Sequence, residues 1–294
     1  MTLLLTAAAV FLAVVHGEAP AAPASDDKLN IFVSIPPQAY FVKKIGGQHT
    51  EISVMVEPRQ SPASYEPSPR QMVKLARADL YFAIGVPFEA AWLSRFRSAN
   101  PDMQIIHTEA GVEKKPIDRH GKGQGAHGSH EAGIQDPHIW LSPPLVMIQA
   151  RHILDGLISA DPDHRADYES GYLRFIRSLA ELDLRLMKQL AGIENQRFMV
   201  FHPSWGYFAD AYGLRQIPIE IEGKEPKAKE VKELIGAARA NGIDAIFVQP
   251  QFSTRQAGII ADEIGGRLVV ADPLAEEWAE NLESIAAAIK SQAG

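Results

Sequence analysis

Residues 165–190 read RADYESGYLRFIRSLAELDLRLMKQL. The stretch holds no proline, a single glycine (Gly171), and apolar residues at helical spacing: Tyr172, Phe175, Ile176, Leu179, Leu182, Leu186 and Leu190. A helix of this length spans roughly 39 Å at 1.5 Å per residue, about the width of a small domain. Asp161-Pro162-Asp163 supplies a start signal and Ala191-Gly192 a stop. On both sides of this helix, short apolar runs alternate with helical segments. Upstream, strands are expected at 29–35, 51–56, 80–84 and 104–107, and helices at 38–45, 69–77 (with Ser68 as N-cap) and 88–96. Downstream, strands are expected at 197–201, 215–219, 245–248 and 267–270. The helices between and after them fall at 206–212, 228–240, 254–264 and 278–289. Strand–helix alternation argues for parallel sheets covered by helices. The predicted fold is therefore α/β, with two lobes that each carry a mostly parallel sheet flanked by helices, joined by one long helix. The lobes are placed at 27–160 and 195–294 and the linking helix at 164–191. A rigid helical link restricts hinge opening more than a pair of flexible strands would.

Length and composition agree with two lobes and narrow the function. The chain has 294 residues, 46% of them hydrophobic, a formal net charge of −7 and no cysteine. An acidic chain without a basic cluster argues against nucleic-acid binding. The missing cysteines exclude a disulfide scaffold, a thiolate metal site, a thiol nucleophile and a lipid-modified cysteine on this chain. Residues 3–15 (LLLTAAAVFLAVV) form an apolar run too short to cross a bilayer, which takes roughly 20 residues. Small residues and a Pro/Ala stretch follow, the pattern of an export signal, so residues 1–26 are set aside as a signal peptide. No Lys or Arg precedes the run, so either the true start lies upstream or the signal is atypical. A soluble, exported, monomeric protein is expected, free in a periplasm.

Three short motifs, preceded by one glycine-rich stretch, carry the chemistry. Residues 118–133 (DRHGKGQGAHGSHEAG) are glycine-rich with His120, His127 and His130, and cannot build a core. Gly123, Gly125 and Gly128 match G-x-G-x-x-G, but no strand precedes them and no helix follows, so dinucleotide binding is not implied. Just beyond lies Asp136-Pro137-His138-Ile139-Trp140-Leu141-Ser142-Pro143. Phe201-His202-Pro203 places a histidine at the carboxyl end of an expected strand, where ligands of open α/β sheets bind. Val270-Ala271-Asp272-Pro273 does the same for an aspartate. Taken singly, His138 could pack or cap near the helix around Val146, His202 could be a hydrogen-bonded strand-end histidine, and Asp272 a turn residue. Taken together, two imidazoles and a carboxylate from two lobes can converge on one cleft. Such a set, without thiolate, suits Zn²⁺ first and Mn²⁺ or Fe²⁺ second. A catalytic site would also need an open metal position and an acid or base, for which Glu220 or Glu222 are the candidates.

These motifs resemble the cluster A-I solute-binding proteins of zinc and manganese ABC transporters, the ZnuA/TroA-like family. D-P-H-I-W-L-S-P after a His-containing Gly-rich loop, then F-H-x-x-x-G-Y-F and a late D-P-L carry the resemblance. Ala78-Asp79-Leu80, Gly85, Trp92 and Pro250-Gln251-Phe252 support it, and it extends from about Asn30 to the C-terminus. The resemblance implies two α/β lobes on one long helix, a divalent cation in the cleft, and delivery to a membrane permease of an ABC importer. It maps the metal ligands onto His138, His202 and Asp272, and a histidine at position 202 favours zinc over manganese. The chain departs from the family at Pro62-Ala63-Ser64-Tyr65-Glu66-Pro67, where Ala63 stands in place of a ligand histidine. The fourth position then falls to a water or a loop histidine (His120, His127 or His130), and less readily to Tyr65 or Glu66. The competing functions are a metal-dependent envelope hydrolase and an adhesin-type envelope protein.

Overall fold

The computed structural model describes residues 28–117, 135–193, 195–220 and 224–292. The first half alternates β1 (Leu29–Val33), α1 (Pro36–Gly46), β2 (Thr50–Val54), α2 (Pro69–Leu75), β3 (Leu80–Ala83), α3 (Pro87–Ala99) and β4 (Gln104–His107). Two helices follow, α4 (Pro143–Ala160) and α5 (Arg165–Leu190). The second half runs β5 (Arg197–Val200), α6 (Gly206–Ala211), β6 (Arg215–Pro218), α7 (Ala228–Ala240), β7 (Ala245–Val248), α8 (Arg255–Ile264), β8 (Arg267–Val270) and α9 (Trp278–Ser291). The strands form two four-stranded sheets of order β2-β1-β3-β4 and β6-β5-β7-β8. Every strand pair is parallel, as the strand–helix alternation requires.

Burial explains why the strands read as short apolar runs. In β5, Phe198 and Val200 join one large apolar cluster, while Met199 and the following Phe201 join a second cluster with Leu234 and Ala238 of α7 and Ile260 of α8. Successive side chains point to opposite faces of a strand, so a sheet covered on both sides needs apolar residues at every position. The larger cluster runs without interruption from the first sheet through α4 and α5 to Trp278, Leu282 and Ile285 of α9.

The long helix covers the 26 residues expected of it. Tyr168, Phe175, Leu179, Leu182, Leu186 and Leu190 are buried along one stripe. Its start agrees with expectation, but the start signal at 161–163 is built as a separate turn. Pro162–His164 form a separate 3-10 turn, and His164 occupies the N-cap of α5. The Asp161 carboxylate accepts from the Tyr168 hydroxyl at 2.6 Å and pairs with His164 Nδ1 at 2.7 Å, so it ties down the helix entry through side chains. The expected strand at 29–35 is also shortened. The Gln38 side-chain oxygen takes the Ser34 and Ile35 N–H groups at 3.0 and 3.3 Å, and Pro36 opens α1.

At Gly171 α5 comes close against the backbone of α1. A Cβ placed there would lie 2.3 Å from the backbone oxygen of Ile45. Gly171→Ala gains about 1 kcal/mol of helix propensity, but it forces two packed helices apart. The expected net result is a loss of about 1–2 kcal/mol in urea unfolding, and a variant as stable as the parent would contradict this packing.

Candidate metal centre

The second sheet reverses direction between β5 and β7, since β6 lies on one side of β5 and β7 on the other. Such a switch point opens a crevice at the carboxyl ends of the strands. His202 sits there, two residues past β5, and Gln249 stands at the end of β7. Gln249 is buried and clamps His202 by its backbone, accepting its N–H at 3.1 Å and donating to its C=O at 3.0 Å. The His202 ring stacks on Phe252, with centroids 4.8 Å apart. Its Nδ1 pairs with Glu220 Oε2 at 2.9 Å.

His138 reaches the same place from the first lobe. It precedes a 3-10 turn (Ile139–Leu141) that leads into α4. Asp136 Oδ1 accepts both the His138 N–H at 3.0 Å and His138 Nδ1 at 2.7 Å, a tight Asx-type turn. Asp136 is wholly buried. The two imidazole rings lie 5.3 Å apart, edge to face.

The carboxylates define what the histidines can do. A carboxylate only accepts, so each imidazole carries its proton on Nδ1 and presents the Nε2 lone pair. Burial holds the His138 imidazole below its usual pKa, against the opposing pull of Asp136, and keeps it neutral at pH 7. Carboxylate–imidazole pairs of this kind orient metal-binding histidines and raise their basicity. Removing one such carboxylate costs about 10–100-fold in metal affinity. Asp136→Ala is accordingly expected to weaken zinc binding by that factor in a chelator competition assay, and a change under about threefold would contradict the role assigned to Asp136.

Asp272 is linked to this pair through its neighbours. Its Oδ1 accepts Gln251 Nε2 at 2.8 Å and the Leu274 N–H at 2.9 Å, and Asn281 holds its carbonyl at 2.8 Å. The carbonyl of the next residue, Pro273, accepts from the Trp140 indole at 2.7 Å, and that ring lies 5.2 Å from His138. Thus His138 and His202 come together, and Asp272 flanks them through its neighbours. As the side chains stand, no three His, Asp or Glu groups among the described residues close around one point.

The remaining sequence candidates fare differently. His120, His127, His130 and Glu222 lie outside the described residues. Ala63 and Glu66 are exposed. Tyr65 is buried, donates its hydroxyl to Gln71 Oε1 at 2.9 Å, and is pushed further from ionisation by that burial, so it is committed elsewhere. Glu220 serves His202 and is no free acid or base. Sequence reading assigns no role to three supporting residues: Gln249, and Gln251 and Tyr207 within the quoted motifs. Tyr207, from α6, donates to the Asp136 carbonyl at 3.1 Å and accepts the Lys115 N–H at 3.1 Å. Burial pushes its hydroxyl up to about 12, so it stays a donor. It thereby ties the two ends of the Gly/His loop, bridged at Pro116 and Gln135, to the second lobe.

Two parallel α/β sheets on a single long helix, with one histidine from each half meeting between them, define a two-lobed receptor for a small cation. The chain belongs to the family described as zinc-uptake complex component A, periplasmic, whose model matches residues 31–292. It is 42% identical to a ZnuA of known crystal structure, with a TM-score of 0.83, over 90% of this chain and 99% of that one. It is 27% identical over 264 residues to the high-affinity zinc uptake system protein ZnuA of Bacillus subtilis, covering 86% of this chain and 81% of the relative. It is 26% identical over 255 residues to the zinc-binding lipoprotein AdcA of Streptococcus pneumoniae. That match covers 85% of this chain, which spans only about half (51%) of the AdcA length. Among the described residues no helix is long and apolar enough to cross a membrane.

Proposed function

We propose that this protein is the periplasmic zinc receptor of an ABC importer. It takes up Zn²⁺ between its lobes through Nε2 of His138, Nε2 of His202 and an oxygen of Asp272, and hands the ion to the membrane permease. One observation carries the reading: two imidazoles from different halves of the chain meet 5.3 Å apart, each held by a carboxylate at Nδ1. A pair of neutral imidazoles with a carboxylate and no thiol is a borderline-soft set that suits zinc ahead of manganese. The names of the relatives, which are zinc-uptake and zinc-binding proteins, support the same cargo. With Ala63 in the first lobe and Tyr65 committed to Gln71, the fourth position goes to a water or to a loop histidine. The engagement of Glu220 by His202 favours a receptor over a hydrolase, which would need that carboxylate free beside a metal-bound water. Residues 1–26 act in this reading as the export signal, and the lobes at 27–160 and 195–294 work as a monomer around the helix at 164–191.

The test is calorimetric titration of chelator-stripped protein with zinc and with manganese, on the parent and on a variant lacking residues 118–133. One zinc per chain is expected, with manganese about 100-fold weaker or more, following the affinity order of divalent ions. A drop of about tenfold or more on loop deletion would assign the fourth position to a loop histidine, and an unchanged affinity would assign it to water. No stoichiometric zinc, or manganese bound more tightly, would overturn the reading.

A further inference from the structure

The turn after β7 touches the site at three points. Gln249 clamps the backbone of His202, and Phe252 stacks on its ring. Between them Gln251 reaches 21 positions along the chain to Asp272, donating Nε2 to Oδ1 at 2.8 Å. The orientation of this amide is fixed by chemistry, since the carboxylate can only accept and must be met by the NH₂ end. The Leu274 N–H donates to the same oxygen at 2.9 Å. Oδ1 is therefore occupied by two donors, and Oδ2 is the oxygen available to a cation. The other end of Gln251 has no such employment. Its Oε1 is enclosed with no hydrogen-bond partner among the described residues. An apolar side chain of equal size would avoid that orphaned acceptor, so what the amide contributes here is its bond to Asp272.

We propose that Gln251 is a specificity-determining residue. By saturating Oδ1 it confines Asp272 to binding through one oxygen and so favours a four-coordinate ion over a six-coordinate one. Zn²⁺ is satisfied by four N and O donors in a tetrahedron, whereas Mn²⁺ takes an oxygen-rich octahedral shell and gains from a carboxylate that binds with both oxygens. Releasing Oδ1 frees Asp272 to chelate, and the gain falls to the ion that can use an additional oxygen. Asn281 and Trp140 hold the backbone of Asp272-Pro273 independently of Gln251, so the carboxylate can change its mode without moving the chain. The inference rests on the reading of Asp272 as a metal donor.

The experiment compares Gln251→Met and Gln251→Leu with the parent, as full mature chains stripped with chelator. Zn²⁺ and Mn²⁺ dissociation constants are measured by competition, and folding is checked by circular dichroism and thermal melting. Methionine keeps the length of glutamine and removes both the donor and the orphaned oxygen, and leucine gives a second variant should one misfold. The ratio of manganese to zinc dissociation constants is expected to fall about tenfold, because zinc loses an outer-shell partner while manganese offsets that loss with a second carboxylate oxygen. A ratio within twofold of the parent in either folded variant would overturn the proposal. Asp272→Asn, measured in parallel, separates the two levels. If it leaves zinc affinity unchanged, Asp272 is not a donor and both readings fall at that residue. If it weakens zinc while the Gln251 variants keep the parental ratio, only the role of Gln251 is wrong.

Discussion

Replacing His202 with alanine is expected to weaken zinc binding by about 10³-fold, because the free energy of a tight zinc site is shared among only three or four ligands. His202 is the better of the two histidines to remove. It is positioned from three directions, by Gln249 on its backbone, Phe252 on its ring and Glu220 on Nδ1, and none of these residues supplies an imidazole in its absence. The substitution also leaves the buried Glu220 carboxylate without its partner, which costs about 1–3 kcal/mol of stability. Affinity and stability therefore fall together, and the affinity is read by competition with a chromophoric chelator at a temperature where the variant is folded. A dissociation constant within threefold of the parent would remove His202 from the site.

Trp140→Ala should be the most destabilising single substitution near the site. Trp140 is 1% exposed and sits at the junction of the two halves. Its indole donates to the Pro273 carbonyl, while its own carbonyl accepts from the Trp278 indole at 2.7 Å. Truncation removes a large buried ring and leaves the Pro273 carbonyl without its indole donor, while the backbone carbonyl that Trp278 uses is kept, for an expected loss of about 3–5 kcal/mol in denaturant unfolding. Zinc affinity should fall too, because Pro273 follows Asp272 and the ring flanks His138. Trp140→Phe separates the two effects. It keeps most of the packing and loses the hydrogen bond, so a cost of about 1 kcal/mol is expected. Equal losses for the two variants would show that the hydrogen bond, not the packing, holds this junction.

The sequence made the scaffold legible and the support of the site only in part. The helix α5 could be read to the residue because its buried stripe is sustained over seven turns without interruption. The strands could be read because both faces are covered, so β7 is apolar at every position and β5 at every position after Arg197. Their ends could not, because local side chains decide them, as Gln38 does for β1 by capturing two backbone N–H groups. His138, His202 and Asp272 announced themselves as polar residues set at turns by prolines. Their partners did not. Asp136 lies two residues from His138 in a D-x-H spacing that could have signalled an Asx turn. Glu220, Gln251 and Tyr207 lie 18, 21 and 71 positions from the residues they hold. The juxtaposed carboxyl ends of neighbouring strands bring Glu220 and Gln251 in, Tyr207 reaches Asp136 from α6, and no periodicity records any of these contacts.

The proposed receptor holds one zinc ion between His138 and His202. Anomalous diffraction at the zinc edge, from crystals of chelator-stripped protein soaked with one equivalent of Zn²⁺, tests it directly. One dominant peak is expected within bonding distance of Nε2 of both histidines, with an oxygen of Asp272 turned toward it. A dominant peak bound by only one of the two histidines, or placed away from both, would contradict it.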